Sequence, residues 1–159
     1  MTKATDSAYE AAKTAYTLYG WLLQEAAVDL GWEKAIAIQA RVGGRLGEVL
    51  TGMLHAKCGE HKLDTGCVSA VLDSVLKGMG IDYELQTGEN SVTGQYKRCP
   101  IYDGLAASGI EHATIQHVCE GFGADECRKL QQVFPEITLT TRFRERVEDA
   151  CMEEFALAK

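Results

Sequence analysis

Four cysteines in the second half of the chain are the residues whose chemistry stands out. Cys99 ends an extended stretch, and Pro100 keeps the backbone before it extended and can open the next helix. Cys119 and Cys127 lie in the helical pattern that follows, and Cys151 lies near the end of the chain. Thiolates bind zinc and iron, and they also act as nucleophiles. The predicted elements could bring Cys99, Cys119 and Cys151 together at one site.

The spacing of Cys119 and Cys127 limits that site. Eight residues of helix rise about 12 Å at about 1.5 Å per residue, so the two thiolates could share one ion only if the helix broke between them, at residues 121–123. We therefore predict a metal site of Cys99, Cys119 and Cys151, with Cys127 as a conditional fourth ligand. Three protein ligands would leave a position for metal-activated water, whereas four thiolates suit structural zinc or an iron–sulfur cluster.

The candidate catalytic residues are Cys99 and His117. His117 lies two residues before Cys119 and is predicted to shuttle protons, with Glu120 as another candidate ligand or base. The predicted cofactor is a zinc, manganese or iron ion, or an iron–sulfur cluster. Two other interpretations stay open, a metal-free nucleophilic thiol and cysteines that pack as small, inert hydrophobic residues.

A second group of metal-binding residue types lies nearer the N-terminus. His55, Cys58, His61 and Cys67 fall within thirteen residues, and imidazole and thiolate are ligands that zinc prefers. Their spacing, H-x2-C-x2-H-x5-C, matches no zinc module. The stretch also has the composition of a polar loop between helices, so whether it forms a second site stays open.

The composition is that of an ordinary soluble globular protein. The chain has 159 residues, of which 46% are hydrophobic and 25% are charged, which suffices for one domain with a core. The net charge of -7 argues against nucleic acid and anionic membranes as partners, because both attract clustered Lys and Arg. There is no apolar run of about 18 residues and no apolar signal core at residues 1–7. We therefore predict a cytoplasmic protein with reduced thiols.

The hydrophobic patterns predict three helices, a hairpin, two more helices and a second hairpin. The helices are expected over residues 4–30, 33–56, 65–79, 101–107 and 111–133. The strands are expected over residues 81–87, 91–98, 137–144 and 150–157. This order predicts a single α+β domain over residues 1–159, with an antiparallel sheet of two hairpins covered by helices.

The first two helices carry more than a simple amphipathic pattern. The first has an aromatic stripe that fits core and subunit contacts or, alternatively, the wall of a ligand pocket: Tyr9, Tyr16, Tyr19 and Trp21. The second contains Gly43, Gly44, Gly47 and Gly52, although a glycine costs a helix interior about 1 kcal/mol relative to alanine. Close approach of another helix is the favoured explanation, and approach of a ligand is the other. The apolar surfaces of both helices predict an isologous homodimer.

Several short motifs follow one another in an order that belongs to a known group. They are the two long N-terminal helices, the Cys99-Pro100 corner after a strand, Cys119 on the next helix, the sequence Phe-Pro-Glu-Ile at residues 134–137, and an acidic turn with a late cysteine at residues 148–155. From residue 9 onward the chain resembles the 4-vinyl-reductase-like domains and, more closely, the L-2-amino-thiazoline-4-carboxylic acid hydrolase-like group.

The resemblance implies an α+β ligand-binding fold of the type found in haem–nitric oxide sensors and transport-particle subunits, with a pocket for a small apolar or heterocyclic molecule. The implied function is a small-molecule-binding protein that acts as a metal- or thiol-dependent hydrolase of a thiazoline-type ring. The alternatives are a non-catalytic sensor or carrier with a structural cysteine-ligated metal, and an iron–sulfur protein. Sensor relatives carry a Cys-x7-Cys pair, but Phe143 stands eight residues before Cys151 here.

Overall fold

The computed structural model of the protein describes residues 3–59 and 63–158. Within these ranges the chain forms five helices and four strands, α1 (Lys3–Leu30), α2 (Trp32–Cys58), α3 (Thr65–Gly78), β1 (Asp82–Thr87), β2 (Ser91–Arg98), α4 (Pro100–Ala107), α5 (His112–Val133), β3 (Ile137–Arg142) and β4 (Cys151–Leu157). The strands form one antiparallel sheet in the order β1-β2-β4-β3, so the predicted α+β class is confirmed.

Local signals set most of the boundaries between these elements. Asp64 caps α3, because its side chain accepts a hydrogen bond from the backbone N–H of Cys67 at 2.7 Å. Gly31 separates α1 from α2 with a φ of 80°, which a glycine adopts without strain. Pro100 begins α4, and Cys99 before it is extended, so the strand-to-helix corner predicted from the sequence is confirmed.

The second hairpin differs from its prediction at one place. The strand predicted over residues 137–144 ends at Arg142, and β4 begins only at Cys151. Phe143 and Arg144 leave the sheet and line an internal cavity instead. We refer to residues 143–150, which connect β3 and β4, as the β3–β4 loop.

The helices α2 and α5 pack closely along their length. A Cβ atom at Gly43 would lie 2.5 Å from the backbone oxygen of Phe122, and one at Gly47 would lie 2.8 Å from that of Glu126. Neither distance leaves room for a side chain, so close helix packing is the explanation for these two glycines. Gly52 has open space around its Cβ position and takes no part in this contact.

The buried apolar residues form two clusters. One lies between α3, the C-terminal half of α2 and the sheet, and the other lies between α1, α4 and the N-terminal half of α5. The two clusters do not fill the space between α5 and the sheet, and the internal cavity lies there. In the part of the chain that the structure describes, no helix is both long enough and apolar enough to cross a membrane.

Candidate binding cavity

The central cavity has a volume of about 320 Å³ and is bounded by all five helices, by β2 and β4 and by the β3–β4 loop. Most of its wall is apolar, and this part includes Val42, Leu46, Leu50, Leu72, Val75, Leu76, Met79, Ile81, Leu105 and Phe155. Polar groups lie mainly on α5, β4 and the β3–β4 loop. This volume and this composition are typical of sites for small organic molecules.

Arg144, on the β3–β4 loop, is the most unusual residue in the wall. Its side chain is buried, with 4% of its surface exposed. Its guanidinium carbon lies 4.3 Å from the centre of the Tyr102 ring, and its Nη1 donates a hydrogen bond to the carbonyl of Val147 at 3.1 Å. Nε and Nη2 have no hydrogen-bond partner among the described residues. A guanidinium does not deprotonate near neutral pH, so this buried group carries a full positive charge.

A hydrogen-bonded chain fixes the surroundings of Arg144. His112 on α5 lies 2.9 Å through Nε2 from the carbonyl of Glu145, and 2.7 Å through Nδ1 from the Tyr102 hydroxyl. Because a carbonyl can only accept, Nε2 carries the proton, and in the neutral ring Nδ1 accepts from Tyr102. The chain holds the Tyr102 ring beneath Arg144 and ties the β3–β4 loop to α4 and α5.

Two half-buried carboxyl groups face the cavity further along the same walls. Burial and the negative charge of Glu153 raise the pKa of Glu126, on α5, to about 8. Burial also raises the pKa of Glu153 on β4, although the hydrogen bond from the Tyr96 hydroxyl, at 2.8 Å, lowers it in part. Both carboxyl groups therefore hold protons at pH values where an exposed glutamate is charged.

Gly94 makes the contact between Tyr96 and Glu153 possible. It lies opposite Glu153 in the sheet, and a Cβ atom there would be 2.6 Å from the Tyr96 hydroxyl oxygen. The Tyr96 side chain therefore lies across a position that must have no side chain. Burial raises the pKa of Tyr96 well above its ordinary value, so its hydroxyl stays protonated. It donates a hydrogen bond to Glu153.

Cys99, Cys119 and Cys151 all line the central cavity. Burial raises the pKa of the Cys99 thiol to about 11, although backbone N–H groups of Tyr102 and Ile101 act in the opposite direction. Burial likewise raises the pKa of Cys119 well above its ordinary value. A nucleophilic cysteine needs a lowered pKa, so the environment of Cys99 does not support its predicted catalytic role.

These side chains do not fit the predicted metal ion well. In residues 3–59 and 63–158, no three His, Cys, Asp or Glu side chains are placed to hold one ion together. Thiols bind metal as thiolates, whereas the pKa values of Cys99 and Cys119 are raised and Arg144 adds a positive charge nearby. The metal or cluster stays a prediction, and no chemical step is derived from it.

Two predicted site residues lie away from the central cavity. The helix α5 continues without a break through residues 121–123, so Cys127 stays two turns from Cys119 and faces a surface groove beside Leu139. The condition for Cys127 as a fourth ligand is therefore not met. His117 is exposed on the outer side of α5, 3.2 Å from Glu120, and does not line the central cavity, so its role as proton shuttle stays a prediction that this position does not favour.

The second candidate metal group contains a disulfide bond. Cys58 and Cys67 are joined between the end of α2 and the start of α3, with Cα atoms 5.9 Å apart. While the disulfide is closed, neither sulfur can bind metal as a thiolate, and in the structure this pair differs from the reduced thiols predicted from the sequence. The ring of His55 packs on Phe134, with centroids 4.8 Å apart, and His61 lies outside the described residues.

The polar residues of the cavity had a signal in the sequence. Along α5 the spacing is that of one helix face, with His112, Gln116, Cys119 and Glu126 all on the cavity side. On β4, Cys151, Glu153 and Phe155 share the inward face. Nothing in the sequence marks Glu126 and Glu153 as cavity residues, because isolated carboxylates on amphipathic elements are usually solvated. Arg144 had no comparable signal.

The chain matches no protein-family model and no curated protein. The resemblance to the vinyl-reductase-like and thiazoline-hydrolase-like groups therefore stays a prediction. The function has to be argued from the central cavity and its lining residues.

Proposed function

We propose that this protein binds a small organic molecule in the central cavity. The observation that carries the proposal is the cavity itself, about 320 Å³ of space bounded by every helix and two strands. Protein interiors contain few voids larger than a water molecule, so a space of this size is not an ordinary packing defect. The apolar wall would hold the body of the ligand, and the groups around Arg144 and Glu153 would orient its polar part.

Binding of neutral fragments tests this proposal. Aromatic and aliphatic molecules of about ten non-hydrogen atoms should bind the wild-type protein, as measured by ligand-observed NMR and by an increase of the melting temperature. Cys119→Leu places a larger side chain in the cavity and should weaken binding about tenfold or more. Cys127→Leu places the same side chain in the surface groove and should leave binding unchanged. Absence of binding to the wild type, or equal binding by both variants, would contradict the proposal.

Hydrolysis of a thiazoline-type ring is a second candidate function. The observation that favours it is the half-buried pair of Glu126 and Glu153 at the cavity wall, because a carboxyl group with a pKa of about 8 can give and accept protons near neutral pH. In this case Glu126, rather than Cys99 or His117, would transfer the proton. Loss of the thiazoline absorbance on incubation with wild type, but not with Glu126→Gln, would support catalysis. If neither protein turns over the thiazoline, hydrolysis is contradicted and only the ligand-binding function remains.

We also propose that a second copy of the chain covers the outer faces of α1 and α2. Large apolar side chains that do not line the cavity are exposed there, namely Leu18, Trp21, Leu22, Ile38 and Val49. Each helix is about 40 Å long and about 10 Å wide, so the pair presents on the order of 800 Å², the area that one subunit buries in a standard interface. We expect the wild type to have the mass of a dimer at micromolar concentration and Leu22→Arg to have the mass of a monomer. A monomeric wild type would contradict the proposed dimer.

A cytoplasmic location is the last part of this proposal, and the disulfide between Cys58 and Cys67 provides its test. Cytosolic reductants keep most such pairs open, whereas oxidising compartments keep them closed. Free thiols are alkylated at the moment of cell lysis under unfolding conditions, and the alkylated cysteines are counted. A protein from the cytoplasm should give six per chain. A count of four would indicate that the pair is closed in the cell and would argue for an oxidising compartment.

A further inference from the structure

No carboxylate forms a direct ion pair with the guanidinium of Arg144 in the described part of the chain, although the charge of Asp103 acts on it from a distance. The residue is 4% exposed, so water does not solvate it from outside. Its Nη1 donates a hydrogen bond to the carbonyl of Val147 and not to a carboxylate, and the Cys151 thiol lies beside the same guanidinium. Burying a cation without an anionic partner is strongly unfavourable. The folded chain therefore holds a group at the cavity wall that is incomplete by itself.

The acidic residues of the same cavity do not supply the missing charge. Neither Glu126 nor Glu153 forms a hydrogen bond with the guanidinium, whose Nε and Nη2 have no partner among the described residues, and burial raises the pKa of both carboxyl groups. Glu153 is also engaged by the Tyr96 hydroxyl. Asp103 on α4 accepts a hydrogen bond from Tyr9, at 2.5 Å, and does not contact the guanidinium.

The two unpartnered nitrogens of Arg144 have a definite geometry. Nε and Nη2 lie on the same edge of the planar guanidinium group, and their N–H bonds point in parallel. This edge pairs with the two oxygens of one carboxylate, which is the strongest form of the arginine–carboxylate interaction. The protein itself uses the third nitrogen, Nη1, and the Tyr102 ring lies against the face of the group. What is left free is the one edge that suits a carboxylate.

We infer that Arg144 is the binding group for a carboxylate of the ligand in the central cavity. The inference rests on the proposed function and makes it more specific. The ligand class is a small monocarboxylic acid with an apolar body, because one guanidinium balances one negative charge and the remaining wall is mainly apolar. The β3–β4 loop, through Arg144, is then the element that determines specificity.

A second unpartnered group adds a detail to this ligand class. Gln39 on α2 also lines the cavity, is 3% exposed, and has no hydrogen-bond donor for its Oε1 among the described residues. A hydroxyl or amine of the ligand could donate to it. The unpartnered groups of the wall thus consist of one cationic donor edge and one neutral acceptor.

The experiment compares two probes with the same carbon skeleton, 3-phenylpropanoate and 3-phenylpropan-1-ol. Calorimetric titration should show that the wild type binds the acid at least about tenfold more tightly than the alcohol, as expected for a charged, two-point hydrogen bond in a buried site. Arg144→Gln should lose this preference and keep its affinity for the alcohol within about threefold. Arg142→Gln removes the same charge from an exposed position two residues away and should behave as the wild type does.

The outcomes separate the inference from the function on which it rests. Equal binding of acid and alcohol by the wild type, or an unchanged preference in Arg144→Gln, overturns the carboxylate site and leaves the ligand-binding function standing. Failure of the wild type to bind either probe or any neutral fragment counts against both. If Arg144→Gln does not fold, Arg144→Lys keeps the charge but loses the two-point edge. Its preference for the acid should then fall at least threefold, and an unchanged preference would overturn the inference.

Discussion

The two sides of α5 make opposite kinds of contact. On the side of α2, Gly43 and Gly47 bring the two helix backbones so close that a methyl group would not fit. On the side of the sheet, the same helix stands far enough away to leave a cavity of about 320 Å³, lined by Gln116, Cys119 and Glu126. The cavity therefore does not result from loose packing of α5, because the helix is fixed on one side at the level of its backbone.

The difference extends to electrostatics. The contact between α2 and α5, which we call the seam, is bordered by ion pairs near the surface, such as that between Lys129 and Glu48 at 2.8 Å. Water solvates the charges of such pairs. The cavity side holds carboxyl groups with raised pKa values and a buried arginine that has no ion pair among the described residues. A stable helix contact on one side thus supports unfavourable polar groups on the other, as is common at functional sites.

The largest expected effect concerns pH and the cavity side. The pKa of Glu126 is raised to about 8, so the folded protein holds a proton that the unfolded chain releases near its ordinary pKa. The stabilisation that this proton provides is complete below about pH 4.5 and is lost as the pH rises through about 8. Urea denaturation should show a fall of up to about 1.4 kcal/mol per pH unit between these limits, on the order of 5 kcal/mol at most in total.

Two variants show whether this slope belongs to Glu126. Glu126→Gln should reduce the pH dependence and be more stable than the wild type at pH 8. Glu154→Gln changes an exposed carboxylate next to Glu153 on β4 and should keep the wild-type slope. If the pH dependence of the free energy of unfolding is the same in all three proteins, the Glu126 carboxyl group is solvated. The two sides of α5 would then differ in packing but not in electrostatics.

The next effect concerns the seam. Gly43→Ala should lower the free energy of unfolding by about 1–3 kcal/mol, because the added Cβ would lie 2.5 Å from the Phe122 carbonyl oxygen and α2 would have to move away. Urea denaturation measures this loss. A gain in stability instead would mean that the two backbones separate easily and that α5 is not rigidly held.

The smallest effect has the opposite sign and lies on the other side of α5. A Cβ atom at Gly123 would lie 3.6 Å from the Phe143 ring, which is an ordinary contact, so Gly123→Ala should stabilise the protein by about 0.5–1 kcal/mol through helix propensity alone. Gly52→Ala, at an open position of α2, is the matched control and should give a similar gain. A loss of stability at Gly123 alone would show that this side is also tightly packed.

Most of the fold could be predicted from the sequence, because local chemistry determines it. The helix ends follow from Gly31, Asp64 and Pro100, and the helices and strands lie within two residues of their predicted limits. The end of β3 could not be predicted. Phe143 and Arg144 continue the alternation of a strand, and the contact that Arg144 makes with Tyr102 involves a residue distant in the chain.

The site was predicted in part. The Cys99-Pro100 corner correctly indicated a residue at a cavity wall, and Cys119 and Cys151 line the same cavity. The sequence could not show that burial keeps the Cys99 thiol protonated, because a pKa depends on neighbours distant in the chain. The burial of Glu126 likewise depends on α2, β4 and the cavity together, and nothing near it in sequence distinguishes it from the exposed Glu120.

The positions of the two tryptophans decide what intrinsic fluorescence can report. Trp21 and Trp32 are 52% and 38% exposed on the outer surface of α1 and α2, and neither lines the central cavity. Tyr16, Tyr19, Tyr96 and Tyr102 line it. An emission spectrum excited at tryptophan wavelengths would therefore follow subunit association and remain silent when a ligand enters, whereas tyrosine absorbance would follow the ligand. A single sample could thus report both equilibria separately, without any attached label.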